Sequence, residues 1–130
     1  MMYPDSNTRQ MRRLYGAYKN SPTVAAAFAL DSYVSALREA VRKAGYPTSV
    51  AKVPDHHTRR NLERRVGHLV VPKGLPGCRT DRAPGDALCA AARGIDALEP
   101  MKGWPRCRAC LLAFERRCAH ILRVEDEVAA

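Results

Sequence analysis

The sequence predicts a mainly α fold: an N-terminal helical hairpin, a basic third helix, and a zinc-stapled, loop-rich segment ending in a long helix. Three observations lead there. Apolar residues recur at helical spacing in the first 45 residues and again after residue 107, with capping signals near their ends. Between 72 and 106 stand five prolines and five glycines, a density that excludes long regular elements. Cys78 and Cys89 lie in that stretch and Cys107 and Cys110 just after it, the last two forming a Cys-x-x-Cys step. A loop of such length inside a compact domain needs something to pin it, and a metal ion would do so.

Asp5 or Ser6 is placed to cap a first helix running to about Lys19. Met11, Leu14, Tyr15 and Tyr18 share one face of it, with Arg9, Arg12 and Arg13 elsewhere. Ser21-Pro22, a hydroxyl followed by proline at a first helical position, marks the start of a second helix. Val24, Phe28, Val34, Leu37 and Val41 then recur as its apolar side, and Gly45 stands where a left-handed C-cap belongs. Pro47 and Pro54 bracket an irregular link. Asp55 caps a third helix ending at Gly67, with Leu62 and Val66 buried. Steps of four and five keep Arg59, Arg60, Arg64 and Arg65 within one broad face of it. That face is either a phosphate-tracking surface or a solvated one with Glu63 as a local partner.

Residues 68–71, β-branched and bounded by Gly67 and Pro72, read as a short strand. One short helical piece is expected at 86–93. The final helix begins at the Cys-x-x-Cys turn and reaches about 127, with Leu111, Phe114, Cys118 and Ile121 as its apolar seam. The division that results is a basic helical region, 1–66, and a zinc-binding module, 67–130.

Composition narrows the function classes. The 46% hydrophobic content is that of a folded chain, and with eight aromatic residues the core must rely on Leu, Val and Ala. No apolar run approaches the roughly 20 residues of a membrane span. The most apolar run, 24–30, follows no basic leader, so a signal peptide is not expected either. A cytoplasmic setting is expected, where thiols stay reduced and clustered cysteines more often hold metal than pair. The net charge of +9 is uneven: twelve Lys/Arg against five Asp/Glu in 1–65, and ten against eight in 66–130. A basic half of this kind suits a phosphate backbone or an acidic protein surface.

Thiolates two residues apart bite one soft cation from a single turn, and Zn²⁺ takes four such ligands tetrahedrally. Cys107 and Cys110 form one half of the site. The other half is open between His68 with Cys78, and Cys78 with Cys89. Cys118 is excluded, because eight residues of helix put it roughly 12 Å beyond Cys110. It reads as a core residue. Asp55-His56-His57 is too slight a pattern for a metal nuclease, and His120 reads as a surface residue.

The order from His68-Leu-Val-Val through Pro-Gly-Cys78 to Trp104-Pro-Arg-Cys107-Arg-Ala-Cys110-Leu-Leu resembles small zinc-finger-type proteins of actinobacteria and their phages. The resemblance covers 68–117 and implies zinc on His68, Cys78, Cys107 and Cys110. Cys89 departs from it by competing for the first-cysteine role. Cys89-x17-Cys107-x2-Cys110-x7-Cys118 is in turn similar to the WhiB-like regulators, which hold a [4Fe–4S] cluster on four cysteines and engage a sigma factor. That family has five residues before its last cysteine and a basic tail; here there are seven, and Glu125, Asp126 and Glu127 follow.

The expected function is a non-catalytic binding module with structural zinc. Its partner would be nucleic acid or a protein of the transcription, replication or translation machinery, met through Arg59, Arg60, Arg64, Arg65 and the basic first helix. The rival is a protein–protein adaptor or inhibitor, binding through the seam of the last helix or the tyrosine face of the first.

Overall fold

The computed structural model describes residues 10–53, 66–70, 87–89 and 98–129, with side chains to 122. Three helices, α1 (Gln10–Asn20), α2 (Val24–Lys43) and α3 (Arg108–Ala129), pack on one another beside a small sheet. The fold is mainly helical, as the periodicity indicates.

In α1 Met11 is fully buried and Leu14, Tyr15 and Tyr18 pack half-buried against the core. The expected caps, Asp5 and Ser6, lie outside the described residues. A carboxylate from far along the chain meets the first turn: the Met11 N–H donates to Glu115 Oε2 at 3.0 Å, and Tyr33 Oη donates to the same oxygen at 2.6 Å. Glu115 is 5% exposed, so α3 holds the start of α1 through a buried anion.

Two expectations for α2 need correction. Its N-cap is Thr23, whose Oγ1 accepts from the Ala26 N–H at 3.1 Å, rather than Ser21. Ser21 still belongs to the end of α1, its N–H donating to the Ala17 carbonyl. The buried face is Leu30, Val34, Leu37, Ala40 and Val41, while Val24 and Phe28 are 89% and 72% exposed. The reason is angular. At 3.6 residues per turn Phe28 stands about 120° from Val34, whereas Leu30 stands about 40° from it. The C-terminus behaves as the glycine indicates. Gly45 has φ +95°, its N–H donates to the Arg42 carbonyl, and the Tyr46 N–H reaches back to Val41. These paired bonds make a Schellman motif. Arg38 then grips the departing chain, donating to Thr48 Oγ1 and its carbonyl.

The link expected to be irregular between Pro47 and Pro54 instead contains the central strand of a three-stranded antiparallel sheet. That strand, β1 (Ser49–Lys52), lies between β2 (His68–Val70) and β3 (Glu99–Pro100). The register pairs Ser49 with Val70, Val50 with Leu69, Ala51 with both His68 and Pro100, and Lys52 with Glu99. Nothing local marks β1, because both Val50 and Ala51 are buried and the pairing partners are distant in sequence. Pro100 is accommodated because its strand is an edge. At 87–89 the expected helical piece is absent: Ala87 bridges Val70 and the Leu88 N–H donates to the Leu69 carbonyl. The expected third helix, with Arg59, Arg60, Arg64 and Arg65, lies outside the described residues except for Val66 and Gly67, which are not helical.

The expected seam of α3 is the core of the molecule: Leu111, Phe114, Cys118 and Ile121 are at most 1% exposed. One core cluster draws on both sides of the 66/67 boundary, from Met11 and Leu30 to Leu69 and Phe114. No described helix is long and apolar enough to cross a membrane.

Candidate metal centre

Three separate pieces of backbone deliver the donors. β2 begins with His68, which is 1% exposed. The 87–89 segment, bonded to the far side of β2, carries Cys89. The chain entering α3 carries Cys107 and Cys110. The Leu111 N–H donates to the Cys107 carbonyl, so Cys107 is the N-cap of α3 and Cys110 lies in its first turn. Both residues therefore sit at the start of one helix.

Gly67 locks the pieces together. Its carbonyl accepts from the N–H groups of Arg106 at 3.0 Å and Cys107 at 3.1 Å, tying the residue before His68 to the Cys-x-x-Cys turn. A Cβ at Gly67 would stand 2.8 Å from Val50 Cγ1 and 3.1 Å from the Trp104 carbonyl oxygen, so only glycine permits this approach. Arg106 secures the turn from the other side. Its guanidinium makes a two-pronged pair with the Asp31 carboxylate of α2, one prong 3.1 Å, and lies 4.8 Å over the Tyr18 ring of α1.

The four donor atoms of His68, Cys89, Cys107 and Cys110 all lie within 4.8 Å of one another. The spacings carry information. Cys89 Sγ is 3.7 Å from Cys107 Sγ, while His68 Nδ1 is 3.3 Å from Cys89 Sγ and 3.6 Å from Cys110 Sγ. Bonds of about 2.3 Å to sulfur and about 2.0 Å to nitrogen, set tetrahedrally, give edges of about 3.8 Å for S···S and about 3.6 Å for S···N. Those three spacings are close to these edges, and all four donors lie together where one ion could sit. No disulfide joins these cysteines.

Electrostatics agree. The sulfurs of Cys107 and then Cys89 push the His68 imidazole up to about 10, because a positive ring offsets their charge. The same two neighbours, followed by burial, raise the Cys110 thiol far above the usual cysteine range. Three thiolates cannot share this volume unless a cation is placed among them. The donor set therefore fits a divalent metal, with His68 ligating through Nδ1. Its Nε2 is buried with no hydrogen-bond partner among the described residues.

Of the residues read from sequence, His68, Cys107 and Cys110 come together, joined by the alternative ligand Cys89. Cys78 lies outside the described residues, and four donors are gathered without it. Cys118 stands in the apolar core, its thiol raised by burial and then by Glu115. The four cysteines of the iron–sulfur resemblance are therefore not one group. Arg12 and Arg13 are exposed on α1. Arg9, Arg59, Arg60, Arg64, Arg65, His56 and His57 lie outside the described residues, and His120 is exposed as expected. Sequence reasoning missed Gly67, Arg106, Asp31 and Glu115 as positioning groups. Their partners are remote, so only Arg106, adjacent to the cysteine step, carried any local signal.

Of the two surfaces expected for protein contact, the α3 seam is core, while the α1 tyrosines are half-buried against it. Among the described residues the large apolar side chains left exposed are Val24, Phe28 and Trp104. With Ala27, Asp31, Ser32 and Ser35 they line an open groove of about 540 Å³.

Compared with protein-family models, curated proteins and solved structures, the chain matches none.

Proposed function

We propose that this protein is a non-catalytic binding module whose second half is stapled by one structural Zn²⁺ on His68, Cys89, Cys107 and Cys110. The observation that carries this reading is the gathering of three sulfurs and one imidazole nitrogen within 4.8 Å of one another. Zinc is the ion suited to such a soft, mixed set. Four protein donors leave no open position for a substrate, which favours a structural role over a catalytic one. The ion would supply a cross-link joining β2, the 87–89 segment and the start of α3.

The partner we propose is a nucleic acid or a nucleic-acid machine. The net charge of +9, most of it before residue 66, and the exposed Arg12 and Arg13 support that choice. Protein contact is the second reading, favoured by the exposed Val24, Phe28 and Trp104. Elemental analysis of the purified chain tests the metal: one zinc without inorganic sulfide is expected, and iron with sulfide contradicts it. Titration against duplex DNA and RNA at rising salt tests the partner. Affinity that falls steeply with salt supports phosphate contact; no binding to either polymer contradicts it.

A further inference from the structure

The four donors are not equally open. His68 and Cys110 are at most 1% exposed, sealed by the sheet and by α3. Cys89 and Cys107 are half-buried and lie side by side, their sulfurs 3.7 Å apart. In most Cys-x-x-Cys sites the near pair in sequence would be the first to oxidise. Here Cys110 is closed off, and the accessible partner of Cys107 is the cysteine eighteen residues upstream.

We propose that Cys89 and Cys107 form a peroxide-responsive pair that converts the metal staple into a disulfide, an inference that rests on the metal reading above. The step balances with a hydroperoxide as oxidant. One of these two half-buried sulfurs attacks the O–O bond, giving a sulfenic acid and hydroxide. The second sulfur displaces hydroxide from the sulfenic acid, forming the S–S bond. Two thiolates lose two electrons, the O–O bond takes them up, and two protons from solvent convert the hydroxides to water. Closing the pair to the roughly 2.05 Å of a disulfide needs a shift of under about 2 Å, within reach of side-chain rotation. With both sulfurs consumed, His68 and Cys110 remain as two of the four ligands, too few to hold the ion tightly. The covalent bond keeps the 87–89 segment joined to the start of α3 and releases His68 from the cross-link. A thiol reductant reverses the step.

The test uses the full zinc-loaded chain and hydrogen peroxide near stoichiometric amounts. Zinc release is followed with a chromogenic chelator, and disulfides are mapped by mass spectrometry without reduction. Stoichiometric zinc release with a Cys89–Cys107 linkage, both undone by dithiothreitol and added zinc, is the expected result. Zinc that stays bound, or a linkage through Cys110, Cys78 or Cys118, overturns the pair while leaving the metal centre standing. A purified chain that neither carries nor takes up zinc overturns the centre itself. The Cys118→Ser variant should release zinc at the wild-type rate; a slower release would transfer the sensing role to Cys118 and also overturn the proposal.

Discussion

The helical pair and the metal-bearing segment solve the same problem by opposite means. α2 is specified by neighbours in sequence, through a threonine cap, a glycine Schellman turn and an apolar stripe at helical spacing, and α1 by a similar stripe together with the distant Glu115. The other region has strands of four, three and two residues, too short to stand as an independent sheet. Its order comes from contacts between residues far apart in sequence: Gly67 to Cys107, Leu69 to Leu88, and the four donors. The difference teaches where the vulnerability lies. Changes in the first region act locally and in small steps, while changes in the second remove contacts that join distant parts of the chain.

The largest effect should follow removal of a ligand. Cys110→Ala, or a strong chelator on the wild type, should cost at least about 4 kcal/mol, since structural zinc sites carry much of the folding energy of small modules. Urea melts followed by far-UV circular dichroism should show partial helicity persisting after the loss. An equal loss in all regions at once would erase the contrast between them. Gly67→Ala comes next. The added methyl meets Val50 Cγ1 at 2.8 Å and backbone oxygen at 3.1 Å, an overpacking that should cost roughly 2–3 kcal/mol and lower zinc affinity as well.

How much of this was legible in the sequence divides along the same line. Gly45, the α3 seam and the exclusion of Cys118 were readable, because each depends on residues within about three turns of one another. The strand at 49–52 was not, because its pairing energy sits in residues up to about fifty positions away. Cys89 could be named as a donor but not ranked above Cys78, since no local pattern reveals that 87–89 hydrogen-bonds to β2. Phe28 was misassigned because the spacing was followed as a series without tracking the angle around the helix.

Smaller effects sharpen the comparison further. Arg106→Lys keeps the charge but loses the fork on Asp31 and the contact with Tyr18. About 1–2 kcal/mol is expected, for a pair whose side chains are 20% and 13% exposed. Zinc affinity should fall with it, because Arg106 positions the turn that carries Cys107. Thr23→Ala should cost about 1 kcal/mol with zinc affinity unchanged, as the loss of a local cap requires. Phe28→Ser should change stability by no more than about 0.5 kcal/mol, given its 72% exposure, so any loss of partner binding in that variant would report on the groove alone.

X-ray absorption at the zinc edge, recorded for the wild type and for Cys78→Ser, tests the central claim most directly. The arrangement of His68, Cys89, Cys107 and Cys110 predicts the same shell in both: three sulfurs at about 2.3 Å and one nitrogen at about 2.0 Å. A shell of four sulfurs, or a sulfur lost on replacing Cys78, would contradict it.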